Sequence, residues 1–319
     1  MKKVVIAIDS FKGCLPSAEA GKAAAEGIRS VFPKCEILSL PIADGGEGML
    51  DVLIAATNGR EVQISAHNPL MEWHDTYYGI SEDGKTAFIE MASISGLPLV
   101  PPEKRNPMLT TSYGTGELIR DALERGCRNF IIGIGGSATN DAGLGMLQAL
   151  GFRFLDKEGK ILETGNGKIL LEVVSIDTSF VHPDLRTSHF TVACDVQNPF
   201  YGLEGAAYIF APQKGADRKM VEALDAGMKN FAEVIFHTTG KDISNHSGTG
   251  AAGGMGGSLL AFLNAKLKPG IQLMLETLDF SNKIKGADLI ITGEGKADKQ
   301  TLMGKVCLLY TSPSPRDIS

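Results

Sequence analysis

Lys3 to Ile8 is apolar at nearly every position and rich in β-branched residues. A run so short and so uniform predicts a strand buried on both faces of a parallel sheet. After a loop from Asp9 to Pro16, Ala20, Ala24, Ile28 and Val31 fall on one side of a helix, with Ser17 placed to cap it and Pro33 beyond its end. Glu36 to Leu40 repeats the strand pattern, and the loop Ala43 to Gly48 leads into a helix ending near Ala56. Two strand-loop-helix units are too few to make a sheet covered on both faces, so this domain needs strands from elsewhere. Ala287 to Ile291 has the same apolar character and could return to it.

The middle of the chain changes pattern. His74 to Ile80 and Lys85 to Met91 alternate and are joined by Ser81 to Gly84, which predicts an antiparallel hairpin. Helical spacing follows from about Thr115 to Arg125 with Gly126 past its end, then a strand Asn129 to Ile134, a loop Gly135 to Asn140 and a helix from about Asp141 to Leu150. A strand at Phe190 to Asp195 and helices at about Asp217 to Phe236, Gly253 to Ala265 and Ile271 to Lys283 complete an α/β pattern.

Composition narrows the function classes. With 43% apolar and 21% charged residues in 319, the chain can bury a core. Its 31 Lys and Arg against 37 Asp and Glu give a net charge of -6, so no basic field recruits nucleic acid. The apolar start, Val4 to Ile8, is too short for a signal peptide, and no run approaches the roughly 18 apolar residues of a membrane span. A cytoplasmic protein without membrane contact is expected. Five scattered cysteines without a C-x-x-C pair suggest neither a disulfide framework nor a zinc site. The 38 glycines point to several tight backbone loops.

Gly79 to Thr86 satisfies G-x-x-x-x-G-K-T, but a P-loop needs a helix after the Lys-Thr, and Lys85 to Met91 alternates like a strand. Glu82 and Asp83 would also repel a phosphate. Gly133-Ile-Gly135-Gly136-Ser137-Ala-Thr139-Asn140-Asp141 is the better candidate, since its turn between strand and helix exposes successive N–H groups, with Ser137, Thr139 and Asn140 as added donors. The plain alternative is a tight turn with Asn140 or Asp141 as the helix cap. Gly248 to Gly257 is equally glycine-dense: either a second anion-binding helix start, with Gly253 and Gly254, or close packing of a helix against another backbone. Asp44 and Glu47 could hold Mg²⁺ through water or accept from a substrate hydroxyl, or could simply serve the next helix start. Asp195, at a strand end, lies near Asn198 and upstream of Lys214, a set suited to phosphoryl transfer; the bland alternative makes Asp195 the start of a turn. Asp9-Ser10-Phe11-Lys12 and Glu294-Gly295-Lys296-Ala297-Asp298 follow strands that, if paired, gather charge at one sheet edge. No histidine lies in these loops, which disfavours a His-based triad or a zinc hydrolase.

The blocks Asp9–Gly13, Ala43–Gly48, Gly135–Asp141, Cys194–Pro199, Pro212–Ala216, Gly250–Gly254 and Thr292–Asp298, in this order, closely resemble the bacterial type-1 glycerate kinase family. The resemblance implies ATP- and Mg²⁺-dependent phosphorylation of D-glycerate, 2-phosphoglycerate being favoured as product. It also implies a discontinuous flavodoxin-like parallel-sheet domain (1–61 and 287–306), a larger inserted mixed α/β domain (62–286) and an active site in the cleft. On chemistry and block membership, Asp195, Lys12 and Lys214 are the catalytic candidates, with Asp195 orienting or deprotonating the glycerate hydroxyl. Gly135, Gly136, Ser137, Thr139, Asn140, Gly253 and Gly254 are candidates for the nucleotide, and Asp9, Ser10, Glu47, Asn198 and Glu294 for the substrate. Asp44 and Asp298 are the candidates for Mg²⁺. Residues 307–319, aperiodic with two prolines among serines, resemble a non-native disordered tail in place of the family's further elements, which leaves an inactive fragment as an alternative. A small-anion or nucleotide-binding protein is a second alternative; a nicotinamide oxidoreductase lacks its G-x-G-x-x-G fingerprint.

Overall fold

A computed structural model describes residues 1–9, 11, 14–43 and 48–293. In chain order it begins with β1 (Lys3–Ile8), α1 (Ser17–Val31), β2 (Glu36–Ser39) and α2 (Met49–Ala56). The central stretch holds β3 (Arg60–His67), β4 (Trp73–Ile80), β5 (Thr86–Glu90), α3 (Ala92–Ser95), α4 (Tyr113–Glu124), β6 (Asn129–Gly133), α5 (Leu144–Ala149) and β7 (Arg153–Leu155). It continues with β8 (Ser175–Asp177), β9 (His189–Ala193), α6 (Ala206–Phe210), α7 (Arg218–Thr239), α8 (Met255–Leu263) and β10 (Lys266–Lys268). The described chain ends with α9 (Gly270–Thr277), α10 (Phe280–Lys283) and β11 (Leu289–Gly293). No described helix is long and apolar enough to cross a membrane.

The chain forms two compact units, one from Met1–Ala56 with Pro269–Ser319 and one from Thr57–Lys268. The terminal unit carries a parallel sheet in the order β11-β1-β2, so the late strand does return to the opening ones. Val4 to Ala7 are fully buried, and Val4, Ile6 and Ile8 pack with Ala20 and Ala25 of α1. Ser17 does not cap α1: its hydroxyl donates to the Ile8 carbonyl (2.5 Å) and accepts from the Ile42 N–H (3.0 Å). It thereby ties the end of β1 to the segment after β2.

The central unit has a six-stranded sheet, β10-β9-β6-β5-β4-β3, in which the four strands from β10 to β5 are parallel and β4 and β3 antiparallel. The expected hairpin is present. Asp83 Oδ1 accepts from the Ser81 hydroxyl (2.6 Å) and the Lys85 N–H (3.0 Å), and Gly84 takes φ +70°. Gly79 to Thr86 is thus a hairpin turn with an exposed Lys85, not a P-loop. The units divide earlier than the expected boundaries at 61/62 and 286/287. β3 pairs with β4 along its whole length from Arg60, which draws it into the central sheet, while α9 packs against α2 in the terminal unit.

Candidate active site

The parallel strands β5, β6 and β9 deliver their carboxyl ends to one edge of the central sheet, the position where open α/β sheets receive ligands. Gly133 is in register with both Glu90 and Ala193, so Ala92, Gly135 and Asp195 stand equal steps beyond a shared rung. Gly135 and Gly136 form an exposed tip, and a Cβ added at Gly135 meets nothing within 4 Å. Gly136 adopts φ +73°, which glycine takes without strain. Leu97 N–H donates to the Gly136 carbonyl (2.9 Å) and Ala138 N–H to the Ser95 carbonyl (2.9 Å), which pins both sides of the tip to the segment after β5. The N–H groups of Gly135 and Gly136 have no partner among the described residues and remain available to an anionic oxygen.

The side chains that follow turn inward. Thr139, Asn140 and Asp141 are fully buried and Ser137 is nearly so. The Asn140 amide donates to the Met228 sulfur (3.3 Å), while Asn140 Oδ1 and Thr139 Oγ1 find no partner among the described residues. The expected side-chain donors of this loop therefore point into the protein, and its outward chemistry is the glycine backbone. Lys214, a catalytic candidate expected to meet carboxylate or phosphate charge, is 2% exposed. Its ammonium donates to Ser137 Oγ (2.7 Å) and to the Thr139 carbonyl (2.6 Å). Burial pushes its pKa down to about 7, with the charge of Asp141 acting the other way.

Asp141 and Ser112 are the residues that sequence reasoning missed as a structural pair. Asp141 Oδ2 accepts from the Ser112 N–H (2.8 Å), the Ser112 hydroxyl (2.6 Å) and the Gly145 N–H (3.2 Å), and Oδ1 from the Gly143 N–H (3.1 Å). Burial drives the carboxyl upward from its ordinary pKa and these four donors oppose it. The only signal in the sequence was an acid at a helix start. Ser112, in turn, accepts from the Met146 N–H (3.0 Å), and the Thr110 hydroxyl donates to the Ala138 carbonyl (2.9 Å). The segment before α4 thus supports the glycine loop from below.

Gly253 and Gly254 close-pack against this loop. At φ +64°, a Cβ on Gly253 would lie 2.1 Å from the Thr139 carbonyl, and at φ +93° one on Gly254 would lie 3.0 Å from the Ala142 Cα. Ala142 N–H donates to the Gly253 carbonyl (3.0 Å), and the Ser258 hydroxyl to the Ala142 carbonyl. Of the two accounts of this glycine cluster, close packing of backbones is the one the geometry supplies.

Asp195 is exposed just past β9. Asn198 spends its amide on the Glu204 carbonyl (2.8 Å), closing the turn that follows, and its own carbonyl accepts from Gly250 N–H (3.0 Å). In the terminal unit, Asp9 is 6% exposed, with its N–H on the Gly293 carbonyl (2.9 Å). Ser10, Lys12, Asp44, Glu47, Glu294 and Asp298 lie outside the described residues, as does the segment 307–319. Both metal candidates are among them, and the described residues hold no cluster of three or more His, Cys, Asp or Glu fit for a metal ion.

The model of the glycerate kinase family matches residues 4–311. A glycerate kinase of Haemophilus influenzae is 52% identical over 303 residues, covering 95% of this chain and 80% of that protein. The glycerate 2-kinase of Escherichia coli is 50% identical over 304 residues, again covering 95% and 80%. A crystal structure described as glycerate kinase 2 from Salmonella typhimurium LT2 superposes with a TM-score of 0.91 at 47% identity, covering 96% of this chain and 81% of that one. With the family model and half-identical relatives matched over nearly its whole length, the chain belongs to the glycerate kinase family.

Proposed function

We propose that this chain transfers the terminal phosphoryl group of ATP to a hydroxyl of D-glycerate, with 2-phosphoglycerate the favoured product. The observation that carries this reading is the exposed Gly135–Gly136 tip, its two N–H groups unspent, on the same sheet edge as Asp195. Phosphoryl transfer asks the protein mainly for positioning and for stabilisation of charge on phosphate oxygens. ATP fits the tip, because an open space of this kind lets a phosphate approach the backbone closely. When bound, ATP supplies the phosphoryl group and Mg²⁺ offsets its negative charge; Asp44 and Asp298 are the residues we assign to the ion through water.

Asp195 is the residue we assign to the acceptor hydroxyl, which its carboxylate would orient and relieve of its proton. Lys12 is assigned to the negative charge of carboxylate or phosphate. Asp9, Ser10, Glu47, Asn198 and Glu294 are assigned to glycerate, Asn198 through its position in the loop after β9. The terminal unit, with its parallel sheet, fits the flavodoxin-like arrangement of a discontinuous domain. A cytoplasmic enzyme of small-molecule metabolism agrees with the acidic balance of the chain. Coupled ADP release measured with D-glycerate, L-glycerate and glycerol tests the assignment. Release that requires D-glycerate supports it, and a folded protein that turns over none of the three refutes it.

A further inference from the structure

Lys214 occupies an unusual position for a cation beside an anion site. Its side chain is sealed from solvent, and both of its hydrogen bonds go to the inner side of the loop whose outer side carries the glycine tip. The turn that bears it is itself held. Lys214 N–H donates to the Ala211 carbonyl (3.0 Å), and Gly215, at φ +96°, backs onto the Arg105 carbonyl, where a Cβ would come within 2.2 Å. The charge that acts on the ammonium is that of Asp141, on the glycine loop, while Arg105 meets the turn at Gly215 through its backbone and turns its guanidinium to the Val100 carbonyl (3.4 Å).

We propose, building on the phosphate role of the tip, that Lys214 is a positioning residue: it grips Ser137 and Thr139 from behind, so that Gly135 and Gly136 stay presented to nucleotide phosphates without Lys214 touching them. A direct contact would require the ammonium to leave two buried acceptors, each of which would then lose its only charged donor. Held in place, the ammonium acts through the loop, lending its charge to the Thr139 peptide in a medium where charge is poorly screened. Its pKa of about 7 makes this grip sensitive to pH close to neutrality.

Lys214→Met removes the charge and keeps the bulk of the stem; Ser137→Ala removes one acceptor only. Binding of ATP and of inorganic triphosphate is measured by calorimetry between pH 6 and 8.5, alongside kcat and the KM for glycerate. Lys214→Met should weaken both ligands about tenfold or more and leave the KM for glycerate within about twofold. The affinity of the parent chain should fall as pH rises through about 7 relative to Lys214→Met, a difference that cancels titration of the phosphates themselves. Ser137→Ala should weaken binding several-fold and keep the pH slope. Unchanged affinity in Lys214→Met, or a collapse of kcat with affinity intact, overturns the proposal, the second because it marks direct chemistry. If Lys214→Met does not fold, an affinity of Ser137→Ala equal to the parent's overturns it, and a several-fold loss in Ser137→Ala sustains it. Should the parent bind triphosphate in this pH-dependent way yet release no ADP with glycerate, the kinase reading fails and the positioning role stands.

Discussion

Replacing Gly253 by alanine tests the support of the glycine tip with a single methyl group. Gly253 sits at φ +64°, a left-handed conformation that costs an L residue about 1–2 kcal/mol. The new Cβ would also lie 2.1 Å from the Thr139 carbonyl and 2.6 Å from the Asn140 Cα, both backbone and therefore unable to swing away. Restoring ordinary contact requires a shift of roughly 1 Å, and overpacking of that kind costs about 1–3 kcal/mol. Together the two effects predict a loss of about 2–5 kcal/mol, which for a unit of this size lowers Tm by roughly 4–20 °C. Trp73 is the sole tryptophan of the chain and lies in the central unit, so its emission on heating follows that unit. Gly135→Ala is the control, because its Cβ meets nothing within 4 Å and it should melt within about 2 °C of the parent. The displaced Thr139 carbonyl is also the acceptor of Lys214, so Gly253→Ala should weaken triphosphate binding as well. A Tm lowered by less than about 3 °C with full triphosphate affinity would falsify the packing account of Gly253.

Three further outcomes follow from the same geometry. Lys85→Ala should leave ATP affinity unchanged by isothermal calorimetry, because Lys85 is exposed on a hairpin turn; a large defect would restore Gly79 to Thr86 as a phosphate loop. Asp195→Asn should lower kcat by roughly 10²-fold if its carboxylate takes the hydroxyl proton, and near-normal turnover would move that role elsewhere. Lys214 has a folded pKa of about 7, below its ordinary 10.5, so the unfolded chain binds more protons between those values and stability should rise with pH across that window. The rise amounts to at most about 5 kcal/mol and should be absent from Lys214→Met; coincident unfolding curves of the parent in urea at pH 7 and pH 10 would contradict the buried charge.

The fold was legible where burial is uniform and obscure where tertiary contacts overrule local pattern. β1 could be read because every residue from Val4 to Ala7 is buried, and the pairing with β11 because both runs are equally apolar. β3 was missed although Val62, Ile64 and Ala66 alternate with Gln63 and Ser65; only Val62 and Ala66 of its eight residues are buried, and the run is assigned as a strand by its pairing with β4. The continuous helix expected from Ile271 to Lys283 is broken where Asp279 takes φ +48°. The helices expected from Asp141 and from Gly253 begin later, at Leu144 and Met255. Each is preceded by left-handed residues, Ala142 and Gly143 in one case and Ala252, Gly253 and Gly254 in the other.

The site divides along the same line. Glycine density marks where a backbone can approach a phosphate, so the tip at Gly135 and Gly136 was visible from composition and placement alone. Which polar side chains serve the ligand and which serve the fold depends on the direction each takes from the loop, and a one-dimensional pattern does not carry direction. Ser137, Thr139 and Asn140 look like donors for an anion, yet their side chains, with that of Asp141, are turned into the protein, where Lys214, Ser112 and the backbones of α5 and Gly253 surround them. The physical reason lies in the tip itself. Two adjacent glycines with unspent N–H groups gain no packing of their own, so their conformation has to be imposed by hydrogen bonds and contacts made on the far side of the loop. A dense polar sequence next to such a tip is therefore the expected sign of its support as much as of its ligand, and Lys214 illustrates the point: a residue chosen for its charge turns out to spend that charge inside the protein.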